Sequence, residues 1–294
     1  MQDLLRDAHD SIVESFPDAH CLCLLDAGLW QQSLPKSVLQ AGAVDLFEGT
    51  SDAGKSLLAP RLIAVNPDNT KDNLVLSLLR LEEKKACTHW LWTLEDIATT
   101  AQRLRFLNTG QLQDGSYALI RYFDREVWAF LEPALDEEQR RFFINPLISW
   151  ATFENQTLHH IRGQCTGLAL PSQALKWTDK QIYQINLALL PHQLWDDLKD
   201  DYPEKLQEQT KKKHLDFFAD TIKRADAIGI KRYRDFMHFS LLCLTVHTQF
   251  DQDPEIKDQL SRFQSGEIDF VETMKNIDNS TWNRIGGNKD NEDL

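Results

Sequence analysis

Apolar residues in the first part of the chain follow helical spacing in some segments and form short runs in others. Helical spacing over 4–13 and 72–85 predicts two amphipathic helices. Short apolar runs bounded by turn residues predict strands at 21–25, 44–47, 57–65, 87–92, 147–153 and 157–162. The strand that contains Pro60 is expected at a sheet edge, because proline cannot donate a hydrogen bond to a neighbouring strand.

Two local signals add a hairpin and a helix start between these strands. Asp114-Gly115 supplies the positive φ angles of a tight reverse turn, which predicts a hairpin between 110–113 and 117–123. Asp136, with Gln139 three residues later, is a variant of the capping box and predicts the first turn of a helix. Helices and strands are therefore both expected in this part of the chain.

Beyond Leu170 the pattern changes to helical spacing alone. Thr178-Asp-Lys-Gln181 is a capping box, and Gly229 has the conformational freedom that ends a helix. The segment 236–250 is apolar on nearly all sides, which is typical of the buried centre of a helical bundle. The sequence thus predicts an α+β protein with a mixed α/β lobe around a central sheet (1–168), an all-helical lobe (169–280) and a disordered tail (281–294).

Composition and charge narrow the class of protein and of partner. Of the 294 residues, 42% are hydrophobic and 26% are charged, which is typical of a globular chain and excludes collagen-like and wholly disordered classes. The formal net charge is −13, with 32 Lys and Arg against 45 Asp and Glu. We expect neither nucleic acid nor an anionic membrane as the main partner, since both attract basic surfaces.

The N-terminus and the cysteines indicate the cytoplasm. Residues 1–16 are charged and amphipathic, so no signal peptide is expected, and no apolar run is long enough to cross a membrane. Five scattered cysteines in apolar surroundings predict reduced, buried thiols in place of a disulfide framework.

The segment Gly49-Thr-Ser-Asp-Ala-Gly-Lys-Ser56 matches the phosphate-binding loop pattern of nucleotide hydrolases. In such a loop, Lys55 would bind phosphate and Ser56 would hold Mg²⁺, and a helix must begin at the lysine. Here Pro60 would end any such helix after about one turn. We therefore expect a surface loop, and keep a nucleotide hydrolase that uses Gly49–Ser56 as the alternative function.

Two further patterns resemble chemical sites. Gly163-Gln-Cys165-Thr-Gly167 has the form of a nucleophile elbow, but Pro171 follows and no helix is predicted close by. Histidines and cysteines at 20, 21, 23, 87 and 89 lack the loop spacing that holds zinc. We expect no catalytic residue, no metal ligand and no cofactor.

Several short segments follow one another in an order typical of one known family. Leu25-Asp-Ala-Gly28, Leu46-Phe-Glu-Gly-Thr50 and Leu58-Ala-Pro60 come first. They are followed by Arg121-Tyr-Phe-Asp-Arg-Glu-Val127, and then by Phe130-Leu-Glu-Pro133, Leu135, Gln139, Phe142, Pro146 and Trp150. This ordered series over 24–162, about half of the chain, resembles the adaptor-chaperone domain of type VI secretion systems.

The resemblance implies a protein without enzymatic activity. Members of this family bind a toxic effector inside the producing cell and help to load it onto the spike protein VgrG. The resemblance therefore implies a cytoplasmic adaptor whose partners are a cognate toxin effector and VgrG. It also implies that Gly49–Ser56 is a variable loop. A helical scaffold for some other protein partner is a further possibility that the residues leave open.

The chain departs from the family at one motif. Where the family usually has Asp-Pro-Arg, this chain has Asp124-Arg125-Glu126, so the proline is absent and Glu126 takes the place of the arginine. The role of that arginine is therefore not carried over to this chain.

Four residues within the resembling segments are the predicted protein-binding residues: Phe47, Glu48, Arg121 and Asp124. Arg121 and Asp124 are expected to pair across the lobe junction or to meet a partner, and an internal salt bridge is the alternative. We expect a cleft and an exposed sheet edge to hold an effector segment, while another surface engages the spike.

Overall fold

A computed structural model of the protein describes residues 1–30, 34–69, 73–167, 169–206, 210–264 and 269–287, with the side chain of Ser56 excepted. The chain divides into two compact units, Met1–Ile185 and Asn186–Leu294. The first unit contains every strand of the described residues, and the second contains only helices and turns. The predicted α+β class, with a sheet-containing first part and an all-helical second part, is confirmed.

A six-stranded sheet forms the centre of the first unit. Its strands are β1 (His20–Leu25), β2 (Val44–Asp45), β3 (Arg61–Val65), β4 (Thr88–Thr93), β7 (Ser149–Glu154) and β8 (Thr157–Arg162). The order is β2-β3-β1-β4-β7-β8, and every neighbouring pair is antiparallel. Five of the six residues of β1 are buried, so the short apolar run in the sequence is a central strand.

The first unit also contains a small second sheet. It consists of β5 (Thr109–Gln111), β6 (Tyr117–Leu119) and β9 (Leu175–Lys176), in the order β6-β5-β9. The predicted hairpin is confirmed, and its turn residue Gly115 has φ +83°. The helices of the unit are α1 (Gln2–Ser15), α2 (Lys36–Leu39), α3 (Asn73–Lys84), α4 (Ile97–Leu107), α5 (Arg125–Ala134) and α6 (Glu137–Phe143).

Both faces of the large sheet are covered by apolar side chains. On one face, α1 and α3 pack against alternate residues of β1, β4 and β7, among them Cys23, Trp90 and Trp92. On the other face, the rings of Trp128 and Trp150 stack at 4.1 Å. Side chains on opposite faces alternate along each strand, because successive residues of a strand point to opposite sides. Since both faces are buried, the central strands contain few polar residues.

Two predicted strands are shorter than expected. β2 ends at Asp45, and β3 begins at Arg61 in place of Leu57. The residues between them include a 3-10 turn at Ala53–Leu58. An apolar pair before Pro60 has the composition of a strand but forms this turn, because proline cannot join the backbone ladder on both sides.

The boundary between the units lies later than the predicted 168/169, by one short strand and about two helical turns. β9 pairs in parallel with β5, and Trp177 packs so closely that a Cβ on Gly110 would lie 2.4 Å from its Cδ1 atom. Residues up to Ile185 therefore belong to the first unit. The boundary falls inside helix α7 (Asp179–Leu198).

The second unit is a bundle of short and medium helices. After α7 come α8 (Pro203–Leu206), α9 (Lys211–Ala227), α10 (Tyr233–Thr245), α11 (Pro254–Gln264), α12 (Phe270–Lys275) and α13 (Asn279–Gly287). Gly229, with φ +96°, follows the end of α9 as predicted. The apolar segment 236–250 supplies Phe236, Phe239 and Phe250 to the core. Nowhere in the described part of the chain is a helix both long and apolar enough to cross a membrane.

The prediction of a disordered tail at 281–294 is wrong for its first residues, which are helical. Residues 279–287 form α13, in which Thr281 and Ile285 are buried. Arg284 forms an ion pair with Asp253 at the start of α11. A polar composition suggested disorder, but one apolar face and one ion pair are enough to hold this helix in place. Residues 288–294 lie outside the described residues.

Candidate functional site

The segments that carry the family-like motifs meet at one end of the large sheet. β1 ends at Leu25, which lies opposite the first residues of β3 and β4. The turn after β1 lies against the turn before β3, since a Cβ on Gly28 would be 3.2 Å from the carbonyl oxygen of Leu58. The rings of Phe47 and Phe123 meet edge to face at 5.9 Å. Residues far apart in the chain thus form a single corner of the fold.

The predicted pair Arg121 and Asp124 forms an internal salt bridge. Arg121 Nη2 lies 2.8 Å from Asp124 Oδ2. The other oxygen of Asp124 accepts hydrogen bonds from the backbone N–H groups of Glu126 and Val127, so Asp124 is the N-cap of α5. The structure therefore shows the internal salt bridge that the sequence offered as the alternative to contact with a partner. The side chain of Arg121 is still 52% exposed, which leaves part of its guanidinium facing solvent.

Phe47 does not lie on the surface. Only 3% of it is exposed, because it packs against Phe123 and belongs to the core. The interpretation of Phe47 as a residue that contacts a partner is therefore wrong, and its role is to anchor the loop after β2. Glu48 lies on the surface with its side chain 73% exposed, and forms an ion pair with Arg105 at 2.6 Å.

Asp26 is a site residue that the sequence analysis did not single out. Its side chain is buried, and its Oδ1 atom accepts a hydrogen bond from the backbone N–H of Gly28 at 3.2 Å. Its Oδ2 atom is buried with no hydrogen-bond partner among the described residues. Burial, together with the negative charge of Asp124, raises the pKa of Asp26 to about 6, although Arg121 acts in the opposite direction.

A signal for Asp26 exists in the sequence. Asp26 directly follows the fully apolar run from Cys21 to Leu25. An acidic residue at the end of such a strand is either buried, or the chain turns there so that the side chain reaches solvent. In the Asp26-Ala-Gly28 motif the side chain is buried and the chain also turns, because Asp26 caps the 3-10 turn at Ala27–Leu29.

A second buried carboxylate fixes the neighbouring strand. Glu82 Oε2 accepts hydrogen bonds from the backbone N–H groups of Cys87 and Thr88, at 2.8 and 2.7 Å, and from Thr88 Oγ1 at 2.9 Å. These bonds fix the connection between α3 and the start of β4. Three donors satisfy this oxygen of Glu82, whereas Asp26 has one oxygen that accepts from Gly28 and one without a described partner.

Arg125 occupies the position at which the family usually has proline. It is the first residue of α5, a position that tolerates proline because its N–H has no partner inside the helix. In this chain the side chain of Arg125 donates from Nη2 to the carbonyl oxygen of Phe153 at 2.7 Å, which joins α5 to β7. Burial lowers the pKa of Arg125, and the negative charge of Glu82 opposes that change.

Three exposed leucines lie beside this corner, and we call Leu29, Leu57 and Leu58 the leucine patch. Their exposed fractions are 39%, 65% and 52%. Lys85 borders the patch, because its Nζ atom donates to the carbonyl oxygen of Leu29 at 3.1 Å and lies 5.3 Å from the ring centre of Trp30. Exposed apolar side chains next to a cation are typical of a protein-binding site.

The Gly49–Ser56 segment lacks the geometry of a phosphate-binding loop. Lys55 has φ −105° and ψ 36°, which interrupts the 3-10 turn at Ala53–Leu58, and no α-helix begins at this lysine. Its Nζ atom forms an ion pair with Asp52 at 2.7 Å. Since phosphate binding of this kind depends on the N-terminus of a helix, the local fold disfavours the nucleotide-hydrolase alternative.

The remaining candidate residues are parts of the core or of loops. Cys165 has φ +53° in the loop after β8, and burial raises its pKa, which is opposite to the requirement for a nucleophilic thiol. Both ring nitrogens of His89 are engaged, one by the carbonyl oxygen of Phe123 and the other by Trp150 Nε1. Within the described ranges, no three His, Cys, Asp or Glu side chains are grouped in a way that could hold a metal ion.

Comparison with known families finds a match over part of the chain. A family described as "Domain of unknown function (DUF4123)" matches residues 22–141, which run from β1 to α6 and include Asp26, the leucine patch and the start of α5. Neither the curated proteins nor the solved structures contain a match to this chain. The corner formed by the motif segments therefore lies inside the part of the chain that is similar to this family.

Proposed function

We propose that this protein is a cytoplasmic adaptor-chaperone of a type VI secretion system, without enzymatic activity. It binds a cognate toxin effector and promotes the loading of that effector onto the VgrG spike. The observation that carries the proposal is the convergence of the motif segments at one corner of the sheet, where the leucine patch faces solvent. The family match over 22–141 covers this corner.

The chemistry of the corner supports binding in preference to catalysis. Asp124 is engaged by backbone N–H groups and by Arg121, and Glu48 is paired with Arg105. Such groups hold a surface in shape and leave no general acid or base paired with a nucleophile. The exposed part of this corner is apolar instead, and covering a leucine of this exposure is worth about 1 kcal/mol.

The burial of Asp26 gives independent support. A buried carboxylate with an unpartnered oxygen lowers the stability of a fold, and such groups are concentrated at functional sites. Glu82, which accepts from Cys87 and Thr88 near the same end of the sheet, shows that this unit also contains a buried carboxylate oxygen with three hydrogen-bond donors. Among the described residues of the first unit, Asp26 is the carboxylate with a buried oxygen that has no hydrogen-bond partner, and Asp235 in the second unit has such an oxygen as well.

The proposal is tested by affinity capture of the tagged chain from the bacterium that makes it, with a tag-only control and identification by mass spectrometry. We expect a VgrG-type spike protein and one large toxin-like polypeptide to be enriched together. If cells that assemble the secretion apparatus give neither protein, the proposed function is wrong. A nucleotide titration with Lys55→Ala as control then becomes the next experiment.

A further inference from the structure

The large sheet has an open edge at β8. In the order β2-β3-β1-β4-β7-β8, β8 is the last strand and pairs only with β7 among the described residues. It is six residues long, whereas β2 at the opposite edge has two. An unpaired edge of this length presents backbone donors and acceptors to which another extended segment can bind.

A cavity lies beside this edge, between α1 and the start of the β7–β8 hairpin. Its volume is about 410 Å³. Apolar atoms of Ile12, Phe16 and Ile148 line it on one side, and Ser149, His160 and Arg162 contribute polar groups. His160 and Arg162 belong to β8, so the cavity and the open edge share residues and form one continuous surface.

The charge of this surface is opposite to that of the chain as a whole. Among the described residues that line the cavity none is acidic, and Arg162 brings a positive charge. The chain as a whole has a formal net charge of −13. His160 is held by its hydrogen bond with Ser149, at 2.9 Å between Nδ1 and Oγ, and its ring lies 5.7 Å from that of Trp92. A ligand that carries carboxylates is therefore favoured at this surface over an average part of the protein surface.

We propose that the β8 edge binds an extended, acidic segment of a partner protein as an added strand. A carboxylate of the segment pairs with Arg162, and an apolar side chain of the segment enters the cavity beside α1. This inference rests on the proposed function, because it takes the segment to be part of a protein that the adaptor carries or docks on.

The two surfaces are separate enough to be occupied together. β8 is three strand positions from β1 in the sheet, which corresponds to about 14 Å at the usual spacing between strands. The leucine patch follows the end of β1 and precedes β3, on the other side of β4. An adaptor requires two such independent contacts.

The test uses the purified full-length chain and a labelled, end-capped heptapeptide in which Glu and Val alternate. A matched peptide replaces each Glu by Lys. We expect the Glu peptide to bind about fivefold more tightly than the Lys peptide in fluorescence anisotropy, since the Lys peptide replaces the exposed ion pair with Arg162 by a repulsion. In residue-resolved hydrogen exchange, the Glu peptide should slow exchange in β8 and leave β2 unchanged.

Two charge-reversal variants assign the contact. Arg162→Glu should weaken binding of the Glu peptide about fivefold, whereas Arg141→Glu, at an exposed arginine of α6, should leave it within about twofold. Equal binding of both peptides, an unchanged affinity in Arg162→Glu, or unslowed exchange in β8 would each overturn the inference. Because no partner protein is used, these results are independent of the capture experiment that tests the proposed function.

Discussion

Removal of the charge of Asp26 should stabilise the protein at neutral pH. Asp26→Asn keeps the acceptor for the backbone N–H of Gly28 and removes a carboxylate whose Oδ2 atom has no described hydrogen-bond partner. A carboxyl group with a raised pKa in the native state favours folding when it is protonated. It therefore lowers stability as the pH rises from the pKa of the unfolded chain to that of the native state.

The size of the effect follows from the pKa of Asp26, which rises from 3.8 to about 6. One pKa unit corresponds to about 1.4 kcal/mol, so the ionised side chain costs the native state about 3 kcal/mol above pH 7. At about pH 4.5 most of this cost has disappeared, because the native carboxyl group is protonated there. The stability gained by Asp26→Asn should therefore grow by about 2 kcal/mol between about pH 4.5 and pH 8.

The assay is urea unfolding followed by tryptophan fluorescence, to which Trp90, Trp92 and Trp150 of the same unit contribute. Any effect of the amide that does not depend on pH cancels when the two pH values are compared. Asp96→Asn is a matched control, since the exposed Asp96 has a lowered pKa, chiefly because the backbone N–H of Thr99 donates to it. Its variant should lose stability relative to the wild type as the pH rises, which is the opposite sign.

A stability difference between Asp26→Asn and the wild type that stays constant from about pH 4.5 to pH 8 would refute this reasoning, because it would mean that Asp26 titrates alike in both states. A difference that falls with rising pH would show that attraction to Arg121 outweighs the burial of the carboxylate. Either result would also remove the support that Asp26 gives to the proposed function.

Three further predictions concern other parts of the fold. Gly110→Ala should destabilise the first unit by about 1–3 kcal/mol in urea unfolding, because its Cβ would collide with Trp177; an unchanged midpoint would contradict the packing of β9. Arg125→Ala should lower the free energy of unfolding by about 1–2 kcal/mol, because the hydrogen bond to Phe153 is lost. Arg125→Pro should still form α5, as measured by circular dichroism, because the first position of a helix tolerates proline. Loss of that helix would contradict the placement of Arg125 at the first position of α5. Lys55→Ala should leave calorimetric titrations with Mg²⁺-nucleotide unchanged, and a binding signal that only the wild type gives would revive the phosphate-loop alternative.

The periodicity of the sequence predicts the central elements of the fold and fails at its short ones. β1 and β4 are continuous apolar runs, and strands buried on both faces have this composition. β9 is only two residues long and pairs with a strand more than 60 residues earlier, so no local pattern identifies it. The boundary between the units was missed for this reason.

The site was predicted in part, because sequence shows order along the chain but not exposure or distance. Arg121 and Asp124 are three residues apart at a helix start, so their salt bridge could be foreseen. Phe47 was predicted to bind a partner because it lies in a family-like motif, but an aromatic ring next to a turn is as easily an anchor in the core. Asp26 is separated from Arg121 by about half of the first unit in sequence, and only the fold brings their charges together.

The leucine patch offers the most direct test of partner binding at the motif-bearing corner. Leu58 and Leu94 are exposed to similar extents, 52% and 48%, but Leu94 follows β4 at the end of the sheet opposite to Leu25. Capture experiments with the wild type, Leu58→Asp and Leu94→Asp should be run side by side in the producing bacterium. We predict that Leu58→Asp loses the effector or the spike while Leu94→Asp retains both, and equal recovery of both partners by all three proteins would contradict the proposed site.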